Sequence, residues 1–474
     1  FELVSIIEER SADLPGIITE VESRRAYPYG TLAAHTLGYT GRITVDQLKK
    51  RKDLGYDKND RLGKKGLENH YEATFKGVDG VEYIEVDAFG RRLGQLDGMP
   101  KLDPIEGKKI ITTLDLELQK VAENAFPDSL KGGLVAIDPS NGEVLAMVSS
   151  PRMNPNIFSL DSMSRKREWA NVALDSDAPL NNRALVGLYP PGSLFKFFTA
   201  IAGMQQGIHP KAKPYKPCHG GYQLGRRYQK CWKLTGHGNV DMIEALKTSC
   251  DVYFYQLGLQ IDMDPINNVA RMFGLEKKTD IDLPIEKRGI LIDSVTYNRR
   301  NKRLGWRWTR GQILHLSIGQ GQLVTPLQMA NAFAGLGNGY QLFKPRLIKA
   351  IIGADGRVES YSKPEVLKEL SLTDSIRYMV NTALNAVINE PGGTGRRARV
   401  KGVRVGGKTG SAENPHGELT HAWFGAVAPL EKPEIAIAVV VENAGHGGSI
   451  AAPIASQVLN HFFERKNQNV QLKK

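Results

Sequence analysis

The sequence predicts an α+β fold in two parts, and three observations carry that expectation. The chain has 474 residues, more than one ordinary domain holds. Its strand-like apolar runs stand at two distant places, 132–150 and 404–442, with helical and looped segments from about 154 to 390 between them. Its first hundred residues lack such runs and are dense in charge and turn signals. Strands at both ends of a segment, with helices between, imply one sheet closed by its two ends around an all-helical insertion.

The first part, placed at 1–106, carries "RRAYPYG" (24–30), "GKKGLE" (63–68) and "DAFGRRLG" (87–94). Short alternating runs such as Val81 to Val86 predict strands there, in an extended α+β module with little catalytic content. "LDPIEGKKIITTLDLELQ" (102–119) is a junction: a turn, a strand, then Thr113 or Asp115 as cap of a helix beginning near Leu116. The second part, 107–474, opens with a hairpin over 132–150, signalled by two apolar runs around Pro139-Ser140-Asn141-Gly142. Strands return at 404–413, 421–429 and 434–442. A last helix is expected from Ala452 to Phe463, with the tail "ERKNQNVQLKK" frayed. The longest apolar run, Ile435 to Val441, is far short of the roughly 18 residues of a membrane span and predicts a buried strand.

Composition is that of a globular protein, 41% hydrophobic and 24% charged. The net charge of +12 suits anionic surroundings. With no zinc-finger spacing of the nucleic-acid type, arginine-rich helix or basic–aromatic platform, no nucleic-acid partner is expected.

Chemistry is concentrated in "LYPPGSLFKFFTAIAGM" (188–204). Ser193 and Lys196 stand three apart and share a helical face, inside an otherwise oily run. A serine hydroxyl attacks only when something removes its proton. A lysine does so when neutral, and burial or a second cation pushes it that way. Ser360-Tyr-Ser-Lys363 repeats the spacing in a polar region without a helix start and reads as a surface coincidence. Two further elements follow in order: Ser249-Cys250-Asp251 after a helical run from Met242 to Lys247, and Lys408-Thr409-Gly410, then Ser411, on a late strand. Lys408 is a cation able to depress Lys196 and to hold a carboxylate. Gly406, Gly407 and Gly410 let a substrate backbone come close.

These three motifs resemble those of the penicillin-binding proteins and serine β-lactamases. "AIDPSNGEVLAMVS", "NRALVGLYPPGS", "TLDLELQ" and "IGQGQLVTPLQMA" (318–330) extend the resemblance over nearly the whole chain, to the class B penicillin-binding proteins and their cell-elongation branch, penicillin-binding protein 2. It implies a penicillin-binding/serine β-lactamase-like transpeptidase domain, an antiparallel sheet with an all-helical subdomain, on a non-catalytic, dimerisation-type pedestal. The implied activity is D,D-transpeptidation of peptidoglycan stem peptides, blocked covalently by β-lactams. Ser193 would be the acylated nucleophile, Lys196 its base, and Ser249 the relay to the departing D-Ala. Backbone N–H groups of Ser193 and Ser411 would form the oxyanion hole. Lys408, Thr409, Gly410 and Ser411 would hold the donor's terminal carboxylate and backbone. Asp251 stands where many relatives have asparagine, and it can pair with Lys196 and keep it charged at rest. The resemblance also implies a membrane glycan polymerase as partner, and a location on the periplasmic face of the inner membrane through an anchor ahead of Phe1. No cofactor is implied for catalysis.

The only three cysteines, Cys218, Cys231 and Cys250, fall within 33 residues, with His237 between the last two. The loop they bracket is glycine-rich, basic and poor in core formers, so it needs a tie. A closed Cys3His zinc site supplies one; a Cys218–Cys231 disulfide and unconnected thiols are the alternatives, and His219 is a substitute ligand. His416 and His421 flank a strand end, His446 sits in a glycine loop, and His315 is expected to pack on its helix. Two other functions compete with transpeptidation: a D,D-carboxypeptidase or β-lactamase using water as acceptor, and a non-catalytic β-lactam sensor. The pedestal, and the lack of a recognisable glutamate-bearing deacylation loop between Ser249 and Lys408, weigh against a β-lactamase.

Overall fold

The computed structural model describes residues 2–10, 13–14, 17, 24–88, 92–158, 163–212, 215–414 and 419–471. Its centre is a five-stranded antiparallel sheet built from β1 (Gly132–Ile137), β2 (Val144–Ser150), β3 (Gly406–Ala412), β4 (His421–Ala428) and β5 (Ile435–Val441). The spatial order is β3-β4-β5-β1-β2, so the two ends of the domain meet where β5 pairs with β1, Val439 opposite Leu134. Every residue of β5 is buried. A strand covered on both faces has no solvent side to require alternation, which is why it reads as one apolar run.

Helices cover both faces. On one lie α1 (Lys196–Gln205), α2 (Met242–Thr248), α3 (Asp251–Ile261), α4 (Pro326–Asn338) and α5 (Asp374–Asn389). On the other, α6 (Ala451–Gln471) packs with the helix Leu116–Asn124. Local chemistry sets the helix starts. Thr325 and Gln328 form a reciprocal capping box ahead of α4, with Pro326 in its first turn. Asp241 caps α2 and Asp115 caps the Leu116 helix. The chain end expected to fray continues in α6 to Gln471, and Arg465 pairs with Asp115 at 2.7 Å.

The insertion between β2 and β3 is not all helical. It holds a hairpin of Gly221–Leu224 with Arg227–Lys230 and the short strands Gln341–Phe343, Ile348–Ile352, Val358–Tyr361 and Val366–Glu369. These strands are three to five residues long, and Val358–Tyr361 and Val366–Glu369 are exposed throughout. One pairs with Lys109–Thr112, more than two hundred residues earlier, and no local periodicity reports such a partner. Ser360 lies on the exposed strand Val358–Tyr361, so its chance Ser-x-x-Lys match is not on a helix.

The N-terminal part has a docked base and a projecting arm. At the base Tyr39 stacks on Phe158 at 3.7 Å, Asn156 bonds both the N and O of Tyr27 at 2.9 Å, and His35 Nε2 lies 2.6 Å from Pro179 O. Beyond Phe75 the chain runs out through the bridges Val78–Ile105 and Val81–Leu102 to a hairpin of Ile84–Val86 with Arg92–Gln95. The arm exposes Val81, Ile84, Val86 and Leu93. No helix of the described residues is long and apolar enough to cross a membrane.

Candidate active site

Ser193 lies in a tight 3-10 turn, Gly192–Phe195, that runs directly into α1. Gly192 has φ +53°, and a Cβ on it would stand 2.8 Å from Ser411 O. Only glycine permits that approach, so the turn rests against the edge of β3. Trp423 Nε1 donates to Pro190 O at 2.9 Å and pins the preceding residues.

Lys196 is fully buried, one turn further on. Its Nζ donates to Asp251 Oδ1 (2.7 Å), Ser249 O (2.9 Å) and Ser249 Oγ (3.2 Å). Among the described residues Ser193 Oγ has no hydrogen-bond partner. The lysine is thus held by the middle motif, not by the serine that shares its helical face. The expected Lys196–Asp251 pairing is present.

Ser249 ends α2 in the left-handed conformation, φ 57°. A non-glycine residue held there is strained, and such strain gathers at functional sites. The conformation brings Ser249 Oγ between two lysines, with Lys408 Nζ donating to it at 2.9 Å. Both lone pairs of the hydroxyl are then occupied, and its proton is free to be given elsewhere. Lys408 is also fully buried and donates to Thr409 O at 3.0 Å. Burial, and then the neighbouring Lys196 charge, push Lys408 well below the usual lysine range.

Register completes the wall. Lys408, Thr409, Gly410 and Ser411 pair with Gly425, Phe424, Trp423 and Ala422 of β4. β3 is the sheet edge, so its other side pairs with no strand. Thr409 Oγ1 bonds Thr394 Oγ1 at 2.7 Å, and Ser411 Oγ lies 3.3 Å from His446 Nδ1.

The four sulfur and nitrogen candidates also meet. The ligand atoms of Cys218, Cys231, His237 and Cys250 lie within 4.8 Å of one another, and all three cysteines are free and buried. No Cys218–Cys231 disulfide is formed. Hydrogen bonding from Cys250 first, then from the Gly220 backbone and His237, outweighs burial and holds the Cys218 thiol down at about 6, and the same cluster pushes Cys250 up. His219 is exposed and outside the cluster. The loop touches the catalytic residues through Trp232, next to Cys231. Trp232 N donates to Asp251 Oδ2 (2.9 Å) and its indole to Ser249 O (3.0 Å).

Sequence reasoning assigns no role to Trp232, Thr394 or Gln320, and only a loop role to His446. Their partners are distant in the chain, so no spacing announces them. His421 packs edge-on against Tyr189, His315 faces Arg227, and His416 lies outside the described residues. The structure also displays a basic–aromatic stretch where none was expected: Leu304 and Trp306 are exposed beside Arg299, Arg300, Lys302 and Arg303.

A hydroxyl at a helix start, two buried lysines meeting on a second hydroxyl, and an open strand edge alongside suit one task. They hold an extended substrate's carbonyl against a serine and manage the proton, which is the chemistry of serine acyl-transfer enzymes. Family comparison narrows the class. The penicillin binding protein transpeptidase domain matches residues 132–460, and the penicillin-binding protein dimerisation domain matches residues 1–112. The chain belongs to the penicillin-binding protein transpeptidases. It is 36% identical over 469 residues to the peptidoglycan D,D-transpeptidase MrdA of Acinetobacter baumannii, covering 96% of this chain and 68% of that one. With its Escherichia coli K12 counterpart it shares 30% over 473 residues, 95% of this chain and 72% of the other. Pseudomonas aeruginosa PBP2 in complex with WCK 5153 superposes with a TM-score of 0.79 at 33% identity, covering 94% of this chain and 91% of that one. The Helicobacter pylori PBP2 complex with MreC gives 0.80 at 29%, covering 97% and 83%.

Proposed function

We propose that this chain is a peptidoglycan D,D-transpeptidase of the elongation type, acting through an acyl-enzyme on Ser193. The observation that carries the assignment is the Ser249 hydroxyl, held between Lys196 and Lys408 beside the Ser193 turn and the open edge of β3. Ser193 Oγ attacks the penultimate D-Ala carbonyl. Lys196 accepts the serine proton after passing its own to Asp251 Oδ1, 2.7 Å away. Ser249 gives its proton to the departing D-Ala nitrogen and is reprotonated from the lysines behind it. The oxyanion is met by two backbone donors. Ser193 N–H belongs to the first turn of a helix, where amides have no intrahelical partner. Ser411 N–H lies on the open edge of β3. Such a donor contributes roughly 3–4 kcal/mol to acyl transfer. Thr409 and Ser411 take the terminal carboxylate, and buried Lys408 reaches the site through Ser249.

Zinc fits the Cys218–Cys231–His237–Cys250 cluster. Zn–S and Zn–N bonds of about 2.3 and 2.0 Å at tetrahedral angles require S···N edges near 3.6 Å. Here Cys231 Sγ and Cys218 Sγ lie 3.5 and 3.7 Å from His237 Nδ1. The ion would be structural, tying the 218–237 loop to Cys250. Elemental analysis of protein purified without chelator, with a thiol count after denaturation, tests it: about one zinc and three free thiols support the site, and no zinc refutes it.

The N-terminal part serves as the pedestal, with its boundary near residues 106–107. Its apolar arm suits a protein partner, and Helicobacter pylori PBP2 is seen in complex with one, MreC. A membrane glycan polymerase as second partner, and an anchored position on the periplasmic face, complete the proposal. The deciding experiment is incubation with labelled penicillin and mapping of the modified residue, followed by a D-amino-acid acceptor assay with a stem-peptide substrate. Label on Ser193 and transfer to the amine support transpeptidation. Label on another serine, or release to water alone, overturns it.

A further inference from the structure

The edge of β3 that faces the nucleophile is not bare. The carboxamide of Gln320 lies along it: Nε2 donates to Ser411 O at 3.2 Å, and Oε1 accepts from Glu413 N at 3.1 Å. These are main-chain groups that β3 offers on its unpaired side just past Gly410. Gln320 is fixed there from behind. Its N donates to His315 O (2.9 Å), and Gly192 N donates to the neighbouring Gly319 O (3.1 Å). A Cβ on Gly319 would stand 2.3 Å from Gly192 O, so the segment that carries Gln320 is docked on the turn that presents Ser193.

A donor peptide adding to this edge meets Gln320. Directly opposed residues of an antiparallel pair exchange both of their N–H···O=C bonds. If the attacked carbonyl accepts from Ser411 N–H, the N–H of that same substrate residue points at Ser411 O. The carbonyl two residues upstream then points at Glu413 N–H. Gln320 occupies both positions. The incoming N–H has to take the place on the edge that Gln320 Nε2 now fills, and Glu413 N–H has one proton to give, so glutamine and ligand backbone cannot both hold the edge.

We propose that Gln320 is a strand surrogate, a specificity-determining side chain that satisfies the β3 edge in the free enzyme and is exchanged for the donor backbone during acylation. The proposal rests on the assignment of Ser193 and Ser411 above. It also explains how an open edge beside a groove avoids pairing with a stray strand. Ligands with an amide N–H beside the reactive carbonyl compete with Gln320; ligands without one do not.

The test compares acylation rate constants for two β-lactams. Benzylpenicillin carries an amide N–H beside its lactam carbonyl, and imipenem carries a hydroxyethyl group there. Gln320→Ala should raise the benzylpenicillin-to-imipenem rate ratio about fivefold, the worth of one net hydrogen bond. Gln320→Met, which keeps the length without the polar atoms, should do the same, and thermal midpoints check both folds. An unchanged or lowered ratio overturns the proposal, as does equal slowing with both drugs, which would make Gln320 a strut. Failure of the wild-type protein to label at Ser193 would sink the parent assignment instead, so the two failures are distinguishable.

Discussion

Two buried polar clusters meet at residues 249–251, and they are built differently. In the catalytic cluster the charged and polar atoms answer one another: Lys196 has three acceptors and Ser249 Oγ two donors. In the cysteine cluster three free thiols crowd a histidine whose Nε2 is buried without a partner. The first closes on itself; the second has the shape of a site waiting for something to bind its sulfurs. Ser249 and Asp251 belong to the first, Cys250 between them to the second, and Trp232 ties the two. A self-satisfied polar network specifies geometry. A thiol cluster specifies it only when a metal or bond closes it, so the catalytic geometry borrows rigidity from a neighbour that takes no part in the chemistry.

The strongest way to isolate the first cluster is Ser193→Ala. Penicillin labelling should fall about 10⁴-fold or more, with a thermal midpoint near wild type, because losing one hydroxyl at a helix start leaves almost no cavity. Residual stoichiometric labelling would place the nucleophile elsewhere. Ser249→Ala should come next, lowering turnover with stem peptide by about 10²- to 10⁴-fold, the range for a positioned proton donor. A loss confined to KM would leave Ser249 a binding group only.

Cys218→Ser crosses from the second cluster to the first. Residue 218 touches no substrate, yet acylation should slow by about tenfold to a hundredfold, as for other residues that support a site from behind, and bound zinc should drop. Normal acylation in zinc-free protein would uncouple the clusters.

Lys408→Met probes the cost of the first cluster. Folding moves Lys408 from the ordinary lysine pKa to one well below it. Between those two values the folded state binds fewer protons than the unfolded, so stability rises with pH through that window and its cost is greatest below it. Removing the amine should therefore stabilise the neutral-pH protein by about 1 kcal/mol or more, with the gain fading toward high pH in denaturant titrations. A destabilised variant would contradict this. Trp232→Phe, which removes the one indole N–H shared between Ser249 O and Thr248 O, should have the smallest effect, about a threefold loss of acylation rate, roughly one weak hydrogen bond.

The parts legible in the sequence were local. Ser193 and Lys196 share a face because a helix repeats at that spacing, and the Pro-Ser-Asn-Gly turn and the Asp115 cap follow from neighbouring residues. The sheet was legible because β1, β2, β4 and β5 are buried and therefore apolar. What escaped depends on distant partners. Ile348–Ile352 is a strand because Lys109–Thr112 lies beside it. Gln320 matters because β3 comes to it, from ninety-one residues away. Lys196 pairs with Asp251 as expected, whereas the burial that lowers the pKa of Lys408 is a tertiary quantity that spacing does not encode.

The sheet's topology also orders events in time. Ser193 and its helix are synthesised early, whereas β3, which supplies Lys408 and the substrate edge, follows roughly two hundred residues later, and β3 joins β1 only through β4 and β5. At about 5–20 residues per second, tens of seconds separate the two. Throughout that interval the nascent chain carries a serine but no groove in which to use it. A nascent chain stalled before β3 should therefore be blind to penicillin, and the enzyme becomes competent only once its sheet has closed.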